Sequence, residues 1–363
     1  MSSRMNVFSC MLFLICFVSD SFAQPVTLQE KWEQKKSNLL KRVSEFKEEV
    51  APSMDEDVLS SFRGRHFFLV PGVLNEWANI GTERYYRTFR RVLDRYSVSH
   101  SMYHSRSRNT ISTNADLIYE AILQTFARVG KPLVIVGHSK GGGELLTVLL
   151  RHQELLLNRI VDRYVSIQGA IGGSPLANAN SWRVSMLKPI YANGLNSLKP
   201  EAALENITQA FLNLPHTLNL SPESEEYSQV LQIMREKIFY VRSRVDRQNL
   251  SWSISGVRWA VRGYMWTSGK DVYDSQSGQC DGLMAVEDQM FSVNGVPFGV
   301  DLGIVDADHT GLTVSTFGNT TSQDRAAFTA ALLETLFEKS LELEMRRGEP
   351  KQLDCVPRTR LAK

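Results

Sequence analysis

The segment Gly137-His138-Ser139-Lys140-Gly141 sets a serine between two glycines, each two residues away. A serine hydroxyl is a weak nucleophile until a base takes its proton. It becomes useful where the backbone forces it out of a sharp strand-to-helix turn. Side chains two residues to either side of such a serine would strike neighbouring backbone, so glycine is needed there. The apolar run Leu133–Val136 before the motif reads as a strand, and Gly141–His152 after it reads as a helix. Ser139 therefore sits at a helix N-terminus, where negative charge is favoured. Gly142 and Gly143 prolong the run of small residues.

A nucleophile of this kind needs a base, and seven histidines are available. In a strand–turn–helix serine site the order along the chain is Ser, acid, His. His66, His100 and His104 precede Ser139, and His138 adjoins it with its side chain aimed elsewhere. His152 lies about 20 Å along the following helix at 1.5 Å per residue. His216 falls in an irregular stretch. His309 follows the apolar run Val300–Val305, in Asp306-Ala307-Asp308-His309-Thr310-Gly311, where a loop after a last strand carries a base. Asp306 and Asp308 are expected to shape that loop. The acid that fixes the imidazole tautomer is Asp281 or Asp246, the latter just after the strand Ile238–Val245. An oxyanion hole requires two N–H groups aimed at the developing charge. Lys140, the residue after the serine, supplies one. Val73, in the turn Pro71-Gly72-Val73-Leu74 after the strand His66–Val70, is expected to supply the other.

The elements that must position these residues alternate. Tyr96–Tyr103 and Tyr164–Ile167 read as strands, Asn114–Val129 and Ser322–Leu343 as helices. Thr321 and Asp324 fit a capping box before the last helix. Near-continuous apolar strands separated by helices argue for an α/β fold, with a mostly parallel sheet covered on both faces. The regularity breaks between Ala177 and Glu236, where helical pieces occupy Glu201–Leu212 and Ser224–Arg235, and again between Asp246 and Cys280. The first of these insertions leaves the sheet at its ligand-binding edge. It is expected to cap the site, with Leu187, Phe211 and Leu214 among the residues that either line an acyl pocket or form a small core of their own.

The whole chain has 363 residues, 43% of them hydrophobic, enough for a sizeable core and too many for a disordered chain. The 41 basic and 39 acidic residues nearly cancel, which leaves no electrostatic case for nucleic acid as a partner. Arg4, an apolar run over Phe8–Val18 and Ser21-Phe22-Ala23 form a secretory signal pattern with cleavage after Ala23. Residues 1–23 are then a signal peptide, and the mature protein is expected to be secreted or periplasmic. Cys280 and Cys355 are the two thiols left after that cut, and in an oxidising compartment they are expected to pair. Leu28–Val50 reads as an amphipathic helix that packs on the domain or a partner, within an N-terminal extension over 24–61. Ala51–Asp57 reads as a linker.

The chain resembles the α/β-hydrolase superfamily, and within it the bacterial triacylglycerol lipases and esterases. The matching pieces are Phe67–Leu74, Val136–Gly143, Gln168–Ala177, Asp281–Met284 and Asp308–Gly311. Asp281-Gly282-Leu283 is similar to the family element that carries the triad acid, which favours Asp281 over Asp246. Asp308-His309 is similar to the element that carries the base. The resemblance implies an α/β-hydrolase domain over 62–345 with a cap-like insertion at 177–236 and a tail at 346–363. It implies hydrolysis of hydrophobic, lipid-like carboxylic esters through Ser139, His309 and Asp281, without cofactor, with transient contact at a lipid surface. The same machinery also serves acyl transfer to another alcohol, amide cleavage, or a binding protein that has lost activity. Four departures stand out: Lys140 where relatives carry Gln, Met or Leu, Val73 in place of an aromatic or longer oxyanion-loop residue, Gln168-Gly169 in place of Pro-His, and a loop after His309 without the acidic residues that bind calcium in some relatives, so that no metal is expected.

Overall fold

The computed structural model describes residues 39–47, 54–73, 75, 85–178, 192–245, 279–314 and 320–337. The signal pattern, Leu187, Asp246 and Cys355 lie outside these residues, and so does the Cys280–Cys355 pairing.

Six parallel strands form the sheet: β1 (His66–Val70), β2 (His100–Met102), β3 (Leu133–His138), β4 (Val161–Ile167), β5 (Ile238–Arg244) and, after a small antiparallel hairpin of β6 (Ser292–Val293) and β7 (Val296–Pro297), β8 (Val300–Asp306). Their spatial order is β2-β1-β3-β4-β5-β8. Strand β3 lies between β1 and β4, with Val70 opposite Gly137 and His138 opposite Ile167.

Alternation along the strands divides the core into two layers. Phe67, Leu69, Val134, Val136, Val165, Ile167, Phe239 and Val241 face one layer. Phe68, Val70, Leu133, Ile135, Tyr164, Ile238 and Tyr240 face the other. Every side chain of β1 and β3 is buried, as a sheet covered on both faces demands.

The first layer is closed by α1 (Glu56–Arg63), α2 (Arg87–Arg95), the last helix described below and the helical residues 39–47. The second is closed by α3 (Ile111–Val129), α4 (Lys140–Arg151), α5 (Glu154–Leu157), α6 (Pro200–Leu212), α7 (Leu214–Leu218) and α8 (Glu225–Lys237). The final helix, α9 (Ser322–Leu336), starts at the expected Thr321–Asp324 capping box. The N-terminal extension packs on the domain itself: Leu39, Val43 and Phe46 are buried, and Arg42 meets Glu334 on α9 at 2.6 Å. Among the described residues no helix is long and apolar enough to cross a membrane.

Several boundaries differ from the sequence reading. The linker ends before Asp55, because that carboxylate accepts the N–H of Asp57 and caps α1. The second strand is only His100–Met102, since Tyr96 closes α2. Of the two roles open to the insertion's apolar residues, Phe211 and Leu214 take the core one. Both are buried in the second core layer, and Phe211 packs edge-on against Phe291 and Phe298.

Candidate active site

Ser139 joins the C-terminal end of β3 to the first turn of α4 with φ 55° and ψ −128°, a conformation that costs a non-glycine residue on the order of 1–3 kcal/mol. The glycines make that turn possible. A Cβ at Gly137 would lie 2.6 Å from the carbonyl oxygen of Gly141, and one at Gly141 would lie 2.5 Å from that of Val70. The surrounding backbone holds the strain: the Ser139 N–H donates to Gln168 O at 3.2 Å, and its C=O accepts from Gly142 and Ala170 at 3.0 and 2.8 Å.

His309 and Asp281 meet at the same edge. Nδ1 of His309 lies 2.8 Å from Oδ2 of Asp281, and the His309 N–H donates to the Asp281 carbonyl at 2.8 Å. The other carboxylate oxygen, Oδ1, accepts from the N–H groups of Leu283 and Met284 at 3.0 and 2.9 Å. Both side chains are buried. Asp281 follows Cys280, whose carbonyl accepts from Val245 at the end of β5, and His309 follows β8 by three residues. The two loops therefore arrive together although 28 residues separate them.

Two contacts bring this pair to Ser139. His138 Nε2 lies 2.8 Å from the carbonyl oxygen of His309, and the two imidazole centroids are 4.9 Å apart. Gln168, whose carbonyl holds the Ser139 N–H, donates its amide to Asp308 O at 2.8 Å. Ser139 Oγ itself makes no hydrogen bond within the described residues; such contacts tighten only with substrate in many serine sites.

Both expected oxyanion donors belong to peptides whose carbonyls are fixed. In a planar trans peptide the C=O and N–H point to opposite sides. The Ser139 C=O is held by two N–H donors, which orients the N–H of Lys140. The Gly72 C=O accepts from Asn75 Nδ2 at 3.1 Å, which orients the N–H of Val73, and the same Nδ2 donates to Ser105 O at 2.8 Å. Gly72 packs directly on the nucleophile: a Cβ there would lie 2.6 Å from Ser139 Cβ and 3.0 Å from Oγ. Val73 and Leu283 pack against an apolar cluster of Ile111, Ala170, Ala177, Leu198, Ala203 and Met284, three of which come from the 177–236 insertion.

The Lys140 side chain carries no loose charge. Its Nζ donates to the carbonyl of Asn109 at 2.6 Å and to those of Arg106 and Ser107 at 3.3 Å, and lies 3.3 Å from Glu144. Burial raises the Glu144 carboxyl against the lowering effect of Lys140.

Sequence reasoning missed Asn75, Tyr85 and the side-chain role of His138. Tyr85 Oη accepts the Gly72 N–H at 2.7 Å and hydrogen-bonds His138 Nδ1. Nothing in spacing links Tyr85 to a residue 53 positions away. The Lys140–Glu144 pair had a legible signal, the i,i+4 spacing of opposite charges.

No family model matches the chain. No curated protein does either. Solved structures do. A metagenomic carboxyl esterase is similar with a TM-score of 0.52 at 22% identity, over 76% of this chain and 76% of that one. The mature Bacillus licheniformis lipase BlEst2 is similar with a TM-score of 0.50 at 14% identity, over 74% of this chain and 91% of the lipase. The propeptide form of that lipase gives 0.51 at 16% identity, over 75% of this chain and 50% of the longer lipase chain. With the parallel sheet order and the strained serine turn at the end of β3, these likenesses establish that the chain has the α/β-hydrolase fold.

Proposed function

We propose that this protein is an exported serine hydrolase of carboxylic esters, acting on lipid-like or other hydrophobic esters. The observation that carries the reading is Ser139 held at φ 55°, with the buried His309–Asp281 pair tied to its turn through His138 and Gln168. Ser139 Oγ attacks the acyl carbon while His309 Nε2 takes its proton. Asp281 holds Nδ1–H and stabilises the imidazolium that forms. The N–H groups of Val73 and Lys140 receive the oxyanion. Collapse expels the alcohol, to which His309 returns the proton, and leaves an acyl ester on Ser139. Water attacks that ester by the same route, releasing the acid and restoring the hydroxyl. No step calls for a metal or cofactor.

A hydrophobic substrate is supported by the apolar cluster around Val73, Leu283, Met284 and Leu198. Such a substrate implies transient contact with a lipid surface. Export is supported by Arg4, the apolar run after it and Ser21-Phe22-Ala23.

The test is labelling by a fluorophosphonate and turnover of p-nitrophenyl esters of graded chain length, by the full chain and by Ser139→Ala. Labelling and turnover that vanish together in a folded Ser139→Ala protein support the reading. Wild-type turnover by that variant refutes it.

A further inference from the structure

We propose that Tyr85 and His138 form one positioning latch that fixes the oxyanion loop and the base loop relative to each other across the nucleophile turn. The proposal rests on the reading of Ser139 and His309 as nucleophile and base. It assigns a role to two residues that touch no substrate.

The sequence places His138 at the last position of β3, next to Ser139, and strand alternation turns the two side chains apart. The His138 ring is buried, and each nitrogen meets a different loop. The His309 carbonyl oxygen can only accept, so Nε2 must carry a proton to donate across the 2.8 Å contact. Burial first, and then the neighbouring His309, hold His138 well below the usual histidine range, so the ring is neutral. Neutral imidazole with a proton on Nε2 has a lone pair on Nδ1. The Tyr85 hydroxyl therefore donates to Nδ1. Burial pushes the Tyr85 phenol up, which keeps that proton in place. The Tyr85 oxygen, having donated, accepts the N–H of Gly72 at 2.7 Å.

The directions are thus fixed along the whole chain: Gly72 N–H to Tyr85, Tyr85 O–H to His138, His138 Nε2–H to His309 C=O. One end is the residue before the expected oxyanion donor Val73. The other is the backbone of the base. The opposite tautomer would set a lone pair against the His309 carbonyl and break the chain at that end. A shift of either loop would strain the same three bonds, and an offset of about 1 Å in a reacting group is worth about 10²-fold in rate.

Tyr85→Phe, His138→Gln and the double variant test the proposal, with kcat and KM measured on one short-chain ester. Each single change should lower kcat about 10–10²-fold with KM nearly unchanged. The double variant should be no slower than the slower single one, because residues acting as a unit are not additive. In 15N-imidazole NMR of the wild-type chain His138 should read as the neutral Nε2–H tautomer. Should the His138 variant fail to fold, the isosteric Tyr85→Phe and the NMR reading decide alone. Wild-type kcat in Tyr85→Phe, a loss confined to KM, multiplying losses in the double variant, or an Nδ1–H tautomer each overturn the latch. The hydrolase reading fails separately, through absence of phosphonylation at Ser139 in the wild-type chain.

Discussion

His309 and Asp281 are joined twice, side chain to side chain through Nδ1 and Oδ2 at 2.8 Å and backbone to backbone through N–H and C=O at 2.8 Å. The second bond fixes where the imidazole starts, and the first fixes which way it faces. Oδ1 of Asp281 is meanwhile saturated by the N–H groups of Leu283 and Met284. The carboxylate therefore cannot rotate without losing donors on both sides.

That arrangement predicts the outcome of Asp281→Asn. The amide oxygen of the new side chain must stay with the two backbone donors, which turns its NH2 toward His309. Nδ1 then has to accept, the proton moves to Nε2, and the imidazole can no longer take one from Ser139. The expected loss in kcat is about 10⁴ with the fold intact. Asp246→Asn, the other acid the sequence offered, should cost far less. Saturating ester kinetics on both variants check this, and a crippling Asp246→Asn would reverse the assignment.

Asn75 predicts a loss at the oxyanion hole. Its amide holds the carbonyls of Gly72 and Ser105 together. Asn75→Ala frees the Gly72–Val73 peptide to rotate, so kcat should fall by up to the cost of a missing oxyanion donor, about 10²–10³-fold. Asn75→Asp should be worse, because it sets a carboxylate oxygen against two carbonyls. Burst-phase acylation rates on the two variants read the effect at the first chemical step.

The Lys140–Glu144 pair predicts a stability effect that a surface ion pair would not give. Both side chains are fully buried one helical turn apart. Lys140→Met leaves the Glu144 carboxylate buried without its cation, and breaking such a pair costs about 3–5 kcal/mol. Replacing both, Lys140→Met with Glu144→Met, removes the orphaned charge. The double variant should therefore unfold at higher urea than Lys140→Met alone. Asn114 and the carbonyls of residues 106–109 would still lose partners, so it should remain below wild type.

His66 predicts a pH dependence. Its ring is packed in β1 with Nε2 2.8 Å from Ser101 Oγ. Burial first, then the nearby His100, Arg128 and Lys131, lowers it to about 4. The unfolded chain binds this proton near 6.5, the folded chain only near 4. Its contribution is thus present above about pH 6.5 and lost as pH falls toward about 4, with a slope of at most about 1.4 kcal/mol per pH unit. His138 is depressed in the same direction and keeps its own share of the slope. Urea midpoints at about pH 7 and about pH 5 should converge partly in His66→Asn. An unchanged pH response would place the dependence elsewhere.

Features whose causes are local are legible in the chain alone. The glycines around Ser139 report a steric demand that acts within five residues, so the serine turn and its strand and helix were readable without the fold. The apolar runs of β1 and β3 and the Thr321–Asp324 capping box are of the same kind. Tertiary structure decided what depends on which loops arrive together. Only the return of β8 beside β5 brings Asp281 to His309, across 28 residues. Only the packing of Tyr85 against β3 gives His138 two partners from different loops. Phe211 and Leu214 show the limit most plainly. Their apolar character requires burial, which sequence states, but a hydrophobic side chain has no directional partner, so whether it meets a substrate or the core is settled by the surface that lies nearest once the sheet has formed.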